Sequence, residues 1–191
     1  MIFNIEKPTI GLLNIGSEEM KGHDSLREAA TILQSVKGLP GKYEGFVEGN
    51  DLGEGTVDVI VTDGFTGNIA LKTAEGIGKM AKHYIHQSFT TGILSRIGAV
   101  FSYFALKKLK QSLDPRDYNG GPFLGLQGLC IKSHGGTDAY GFSNAVMVGA
   151  RLVQKGYNKR VAKEIEKLTE QEALITLGVI PNAANAKEGA E

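Results

Sequence analysis

Val57-Asp58-Val59-Ile60-Val61-Thr62-Asp63-Gly64-Phe65-Thr66-Gly67-Asn68 decides the fold. A short, β-branched run ends in an acid, a glycine-bearing turn and an asparagine, and a helical pattern follows at once. In a parallel α/β sheet a strand hands over to a helix N-terminus at such a turn, and ligands bind in the crevice there. Unpaired backbone N–H groups and the positive end of the helix dipole favour anions. Asn68 is expected to cap the helix. Gly64 and Gly67 are expected to supply positive φ and a close approach to the backbone.

Working outward, Thr9-Ile10-Gly11-Leu12-Leu13-Asn14-Ile15-Gly16 has no polar alternation and reads as a buried parallel strand. A polar loop, Ser17 to His23, leads to a helix capped by Asp24 or Ser25 and ending near Val36. Its inner face carries Leu26, Ala29, Ala30 and Leu33. Tyr43–Val47 reads as a second strand, ending at Glu48-Gly49-Asn50-Asp51. After the opening turn, residues 69–87 read as a helix with Ile69, Thr73, Ile77, Met80 and Tyr84 near one stripe. Strand alternates with helix, so the three strand-end loops fall on one edge of a parallel sheet. That places Asn14–Glu18, Glu48–Asp51 and Asp63–Asn68 around a shared pocket.

The second half changes character. Residues 89–111 carry Ile93, Ile97, Phe101 and Phe104 at helical spacing, bordered by Arg96, Lys107, Lys108 and Lys110. Two readings stand open: a helix packed on the core or in a dimer contact, or a basic amphipathic helix on a membrane surface. Leu124–Ser133 reads as a strand delivering His134-Gly135-Gly136-Thr137-Asp138 to a helix over 139–155, with Phe142, Ala145, Val146, Gly149 and Leu152 inward. A last amphipathic helix covers 158–177, and residues 182–191 read as a frayed tail. The expected organisation is one α/β domain over 1–181 with an amphipathic helical insertion at 88–112.

Bulk composition excludes several classes. The 191 residues carry 21 basic and 21 acidic side chains, so the basic excess of a nucleic-acid binder is missing. One cysteine, Cys130, permits no intramolecular disulfide, fits a reducing cytoplasmic compartment, and reads as inert packing inside a strand. No zinc-type ligand set, serine elbow, P-loop or dinucleotide fingerprint occurs, and neither a metal nor a cofactor is expected. No apolar run approaches the ~20 residues of a spanning helix, and no signal peptide is read. What remains is a set of anion-friendly loops carrying Asn14, Lys21, Asp63, Asn68 and His134. Lys21 can neutralise an oxyanion or phosphate. Asn14 and Asn68 can donate amide hydrogen bonds, and His134 can act as acid, base or donor. That fits acyl or phosphoryl transfer involving a small anion, where positioning and charge stabilisation carry catalysis. Each group has a plain alternative: Asp63 bonding loop amides, Asn68 a cap, Asn14 a tie between loops, Lys21 a solvated lysine, His134 a satisfied structural histidine.

Three segments resemble one family. Gly11-Leu12-Leu13-Asn14-Ile15-Gly16-Ser17-Glu18-Glu19-Met20-Lys21-Gly22 is similar to the "GLLNIG-x-E-x-x-KG" motif of the bacterial phosphate acyltransferases of phospholipid synthesis, the PlsX family. Asp63–Asn68 with Leu71-Lys72-Thr73-Ala74-Glu75-Gly76 resembles its "DGF-x-GN…LKT-x-EG" motif. Tyr118–Gly128 with Ile131–Gly135 resembles its "YGGA-x-LLG-x-x-G…HG" motif. The likeness runs from about Lys7 to about Glu166, and by this resemblance the chain looks like the family's C-terminal half.

The resemblance implies a fold akin to phosphotransacetylases and isopropylmalate dehydrogenases. It implies transfer of a fatty acyl chain from acyl carrier protein to inorganic phosphate, without a cofactor. It also implies a homodimer, peripheral to the inner face of the cell membrane. The expected catalytic groups are Lys21, Asn68 and His134. The expected substrate-binding positions are Asn14, Gly16, Asp63, Gly64, Gly67 and Gly135. Membrane contact is expected at Ile93, Ile97, Phe101 and Phe104. The alternative is a truncated, inactive homologue that only dimerises or contacts membrane.

Overall fold

The computed structural model describes residues 4–176, with side chains up to residue 170. The expected tail at 182–191 lies outside the described residues. The chain divides into two compact units. One holds the residues up to Asp63 together with those from Leu152 on. The other is Gly64–Arg151, and it contains the whole 88–112 segment.

The first unit is built on a parallel three-stranded sheet. β1 (Thr9–Leu13) is central, with β2 (Lys42–Val47) on one side and β3 (Val59–Val61) on the other. Thr9 pairs with Lys42 and Leu13 with Val47, and the register slips by one residue of β2 between Ile10 and Gly11. Ile10 to Leu12 pair with Val59 to Val61. Because the strands are parallel, their C-terminal ends share one edge, as the alternation of strand and helix predicts. Leu12, Leu13, Ala30 and Val47 are buried, so the centre of β1, the end of β2 and the inner face of α1 (Asp24–Ser35) form the core. At the opposite edge Asp58 and Thr9 bond reciprocally. The Asp58 carboxylate accepts from the Thr9 amide and hydroxyl, each at 2.8 Å, and the Asp58 amide donates to the Thr9 hydroxyl at 2.8 Å. These bonds hold the Asp58 carboxyl below its usual range.

α1 corrects one expectation. Its N-cap is His23, without a side-chain cap bond, and Asp24 is instead the first helical residue, paired with Arg27. A short helix, α2 (Asp51–Glu54), follows β2 and ends in left-handed Gly55. α7 (Tyr157–Thr176) completes the unit.

The second unit opens with α3 (Gly64–Thr90), which begins five residues before the expected start. Asn68 is therefore the fifth residue of the helix and not its cap. Gly64 and Gly67 are helical, without positive φ. Once a helix is nucleated, each added residue gains a hydrogen bond, and this outweighs the glycines' weak propensity. The residue before the helix is Asp63, a type favoured at that place. No residue of α3 is buried, so its expected inner stripe is exposed.

The single helix expected over 89–111 is two: α4 (Ile93–Phe101) and α5 (Tyr103–Ser112). Ser102 joins them, donating to the Gly98 carbonyl and accepting from the Leu106 amide, both at 2.9 Å. The expected strand at 124–133 reduces to β5 (Ile131–Lys132), antiparallel to β4 (Gly121–Pro122). Leu124, Leu126 and Cys130 are exposed, so Cys130 is not buried packing. α6 (Ala139–Gln154) buries Gly141, Ala145, Val148 and Leu152, spaced 4, 3 and 4 residues apart. Phe142 and Val146, one residue on from Gly141 and Ala145, are exposed instead of inward.

Candidate functional site

Two loops carry most of the candidate groups, one in each unit. In the first unit, the loop after β1 is closed by Asn14, which is only 8% exposed. Its amide accepts from the Ile15 N–H at 2.8 Å and donates to the Lys21 carbonyl at 3.1 Å. Its backbone N–H donates to Val47 across the strand end at 2.8 Å. The Asn14 side chain thus closes its own loop. Gly22 adopts φ +84°, and a Cβ there would collide with the Asn14 oxygen, so only glycine lets the chain pass this close. From α1, Arg27 donates to the carbonyls of Met20 (3.2 Å) and Gly22 (3.0 Å).

Lys21 is consequently held at its backbone and open at its tip. Its N–H donates to the Glu18 carbonyl at 3.1 Å, while its exposed ammonium stands 3.7 Å from Glu18 Oε1. Gly16 is buried in the same loop, where an added Cβ would stand 2.5 Å from Glu18 Oε2. Asp63 follows β3 by two residues and so lies on the same sheet edge as Asn14. The first unit therefore gathers Asn14, Gly16, Lys21 and Asp63 at one edge. The Glu48–Asp51 turn closes beside them, with Asp51 Oδ2 accepting from the Glu48 amide at 2.6 Å and Oδ1 from the Thr56 hydroxyl at 2.9 Å.

In the second unit, the loop between β5 and α6 carries His134 and Gly135, both exposed. The Gly136 N–H donates to His134 Nδ1 at 3.1 Å. This bond assigns Nδ1 as the acceptor, so the neutral ring carries its proton on Nε2. The loop is anchored by Asn119, which the sequence reading did not single out. Asn119 is 8% exposed, and its Oδ1 accepts from the His134 backbone N–H at 3.0 Å. Its Nδ2 donates to the Gly141 carbonyl (2.7 Å) and Ser133 Oγ (2.9 Å), with Thr137 Oγ1 at 3.4 Å. Gly120 beside it adopts φ +110°, and an added Cβ would stand 2.7 Å from Ala145 Cα on α6. The available signal was an asparagine before two glycines at the start of a motif.

Gly64, Gly67 and Asn68 occupy the first turns of α3, with Asn68 exposed. Asn68, Lys72 and Glu75 recur at i, i+4 and i+7 and share one face. Lys72 Nζ donates to Glu75 Oε2 at 2.9 Å, which lowers the Glu75 carboxyl pKa, with smaller contributions from the charges of His134 and Lys79. The His134 loop thus lies within electrostatic reach of that face. Nearby, Arg116 bridges Asp114 and Asp138 and lies over the Tyr140 ring at 5.3 Å. Arg116 holds the Asp114 carboxyl down to about 2, through side-chain and then backbone hydrogen bonds.

Along α4 and α5, Ile93, Ile97, Phe101 and Phe104 are all exposed, Phe101 at 84% and Phe104 at 81%. Among the described residues no helix is long and apolar enough to cross a membrane, and no cluster of acidic, histidine or cysteine side chains fits a metal ion.

Residues 1–160 match the model of a family described as "Fatty acid synthesis protein". The chain belongs to this family. It is 53% identical to the phosphate acyltransferase of Paramagnetospirillum magneticum over 171 residues, 90% of this chain and 48% of that protein. It is 49% identical to the phosphate acyltransferase of Rhodospirillum centenum over 185 residues, 97% of this chain and 51% of that protein. The phosphate acyltransferase of Rhodospirillum rubrum is 52% identical over 167 residues, 87% of this chain and 48% of that protein. The chain spans about half the length of the curated relatives it matches.

Proposed function

We propose that this chain carries acyl-transfer machinery that moves a fatty acyl group from the thioester of acyl carrier protein to inorganic phosphate. The observation that carries the reading is the identity of about half the residues with phosphate acyltransferases, over motifs that become the Asn14–Lys21 and His134 loops. A phosphate oxygen attacks the thioester carbonyl, the C–O bond forms, and the C–S bond breaks. The carrier thiolate departs with the electron pair and takes up a proton. Phosphate is already nucleophilic at neutral pH, so the step needs no side-chain nucleophile. In the first unit the exposed Lys21 ammonium suits balancing phosphate or oxyanion charge, and in the second the exposed Asn68 amide suits donation and the His134 Nε2–H suits donation or proton delivery.

The test is to incubate the chain with acyl carrier protein thioester and phosphate and to trap acyl phosphate with hydroxylamine. Lys21→Ala and Asn68→Ala are each expected to lower turnover ~100-fold, as losing one oxyanion donor does. Unchanged rates in both would sink the assignment. Turnover absent throughout, with no phosphate binding by calorimetry, would favour the inactive-homologue reading.

A second property rests on the 93–112 segment. Exposed Ile93, Phe101 and Phe104 with Lys107, Lys108 and Lys110 form a short basic amphipathic pair of helices, the pattern of an interfacial anchor. We place it on the inner face of the cell membrane, with the rest of the protein cytoplasmic. Liposome flotation is expected to weaken when Ile97 and Phe101 are both changed to Asp; undiminished flotation counts against it. The exposed apolar residues of α3, such as Ile77, Met80 and Tyr84, fit burial in a homodimer. Ile77→Glu is then expected to shift sedimentation toward monomer.

A further inference from the structure

The geometry points to Asn119 as the positioning residue of the His134 loop, an inference that rests on the acyl-transfer reading for its catalytic consequence. Among the described residues only Asn14 and Asn119 are buried polar side chains. A buried amide is costly unless all its groups are paired, and Asn119 is paired entirely with the loop and with the start of α6. Its acceptor takes the backbone N–H of the histidine itself. Its two amide protons are claimed by the Gly141 carbonyl and Ser133 Oγ, the two shorter contacts, which leaves Thr137 at 3.4 Å as the weaker partner.

Asn119 therefore fixes the residue before His134, His134 itself and the helix turn after the loop. Within that frame the Gly136 N–H reaches Nδ1 and keeps the ring proton on Nε2. The asparagine is neutral, so it acts through placement and tautomer. Gly120 gives it its seat: only a glycine passes Ala145 closely enough to bring Asn119 under the loop.

The experiment labels the histidines of the full chain with ¹⁵N and reads the tautomer of each by long-range nitrogen–proton correlation. In the unmodified chain His134 is expected as the Nε2–H form. Asn119→Ala is expected to release it toward the mixture of a free imidazole and leave His23, His83 and His86 unchanged. Val148→Ala is the control, because it loosens the packing around Gly120 without touching any of these bonds. A His134 tautomer unchanged in Asn119→Ala, or released equally by Val148→Ala, would overturn the inference.

Kinetics supply the second arm. Asn119→Ala is expected to lower kcat by ~100-fold, the scale of a misplaced catalytic group, with little change in KM for the acyl donor. In a His134→Ala background the same change is expected to cost nothing further, because a residue acting through another has no separate effect once that other is gone. Full additivity would overturn the inference. A His134→Ala chain with undiminished turnover would instead overturn the catalytic reading of His134, and the tautomer result would still decide what Asn119 does.

Discussion

The Asn14 loop and the Asn119 loop use the same device at different range. Each has a buried asparagine whose amide satisfies backbone groups of a loop that carries an exposed, chargeable side chain. Asn14 reaches seven residues along the chain, to Lys21. Asn119 reaches 14 residues to Ser133 and 22 to Gly141. The first loop is closed locally by the Asn14 side chain and braced by α1, with the Asn14 backbone held by Val47. The second exists only after α6 and the 115–122 segment have come together. Each loop also needs one glycine at positive φ, Gly22 or Gly120, to let the asparagine approach.

The largest expected effect falls on the long-range loop. Gly120→Ala adds a Cβ 2.7 Å from the α6 backbone at φ +110°. Overpacking and the left-handed penalty together predict a loss of ~3 kcal/mol in the second unit. Amide exchange across α6 should accelerate accordingly; unchanged protection there would show that the seat is not tight. Next comes Asn14→Ala, which leaves the Lys21 carbonyl and Ile15 N–H without their partner, at ~2 kcal/mol. Its effect is expected to stay local, with exchange rising at Ile15 to Gly22 and not in the second unit. Spread beyond the loop would erase the distinction between the two devices.

The smallest effect is a titration. The Asp114 carboxyl is lowered from 3.8 to about 2 by Arg116. A folded-state pKa below the unfolded one stabilises above the unfolded value, and that contribution is lost as pH falls from 3.8 through about 2. Carbon-detected titration of Asp114 should place its midpoint near the lower figure, and Arg116→Gln should move it up toward the ordinary carboxylate range. An unmoved midpoint would remove Arg116 as the cause.

The strand at Thr9–Leu13 was legible because a buried parallel strand reads as an apolar run, and the one at Lys42–Val47 because glycine-bearing turns bound it on both sides. α6 and α7 were legible because their lengths and helical periods are clear. The turn at Gly64–Asn68 was misread because two glycines look like a break, whereas the helix runs through both. Leu124–Ser133 reads as one strand, but pairing is confined to Ile131–Lys132 and the leucines at 124 and 126 stay exposed. Lys21 and His134 were legible as chargeable residues in glycine-bearing loops. Asn119 was not, since nothing in its own segment signals that its partners lie at residues 133–141.

By itself the sequence determined the family, the three parallel strands of the first unit and the edge on which their loops gather, because motif, local periodicity and parallel connection dictate these. Tertiary structure alone decided that Phe142 and Val146 face outward and that the Asn119 amide accepts from the His134 backbone N–H. Those depend on which groups meet across long separations, and a buried amide reveals its partners only once the chain has folded around it.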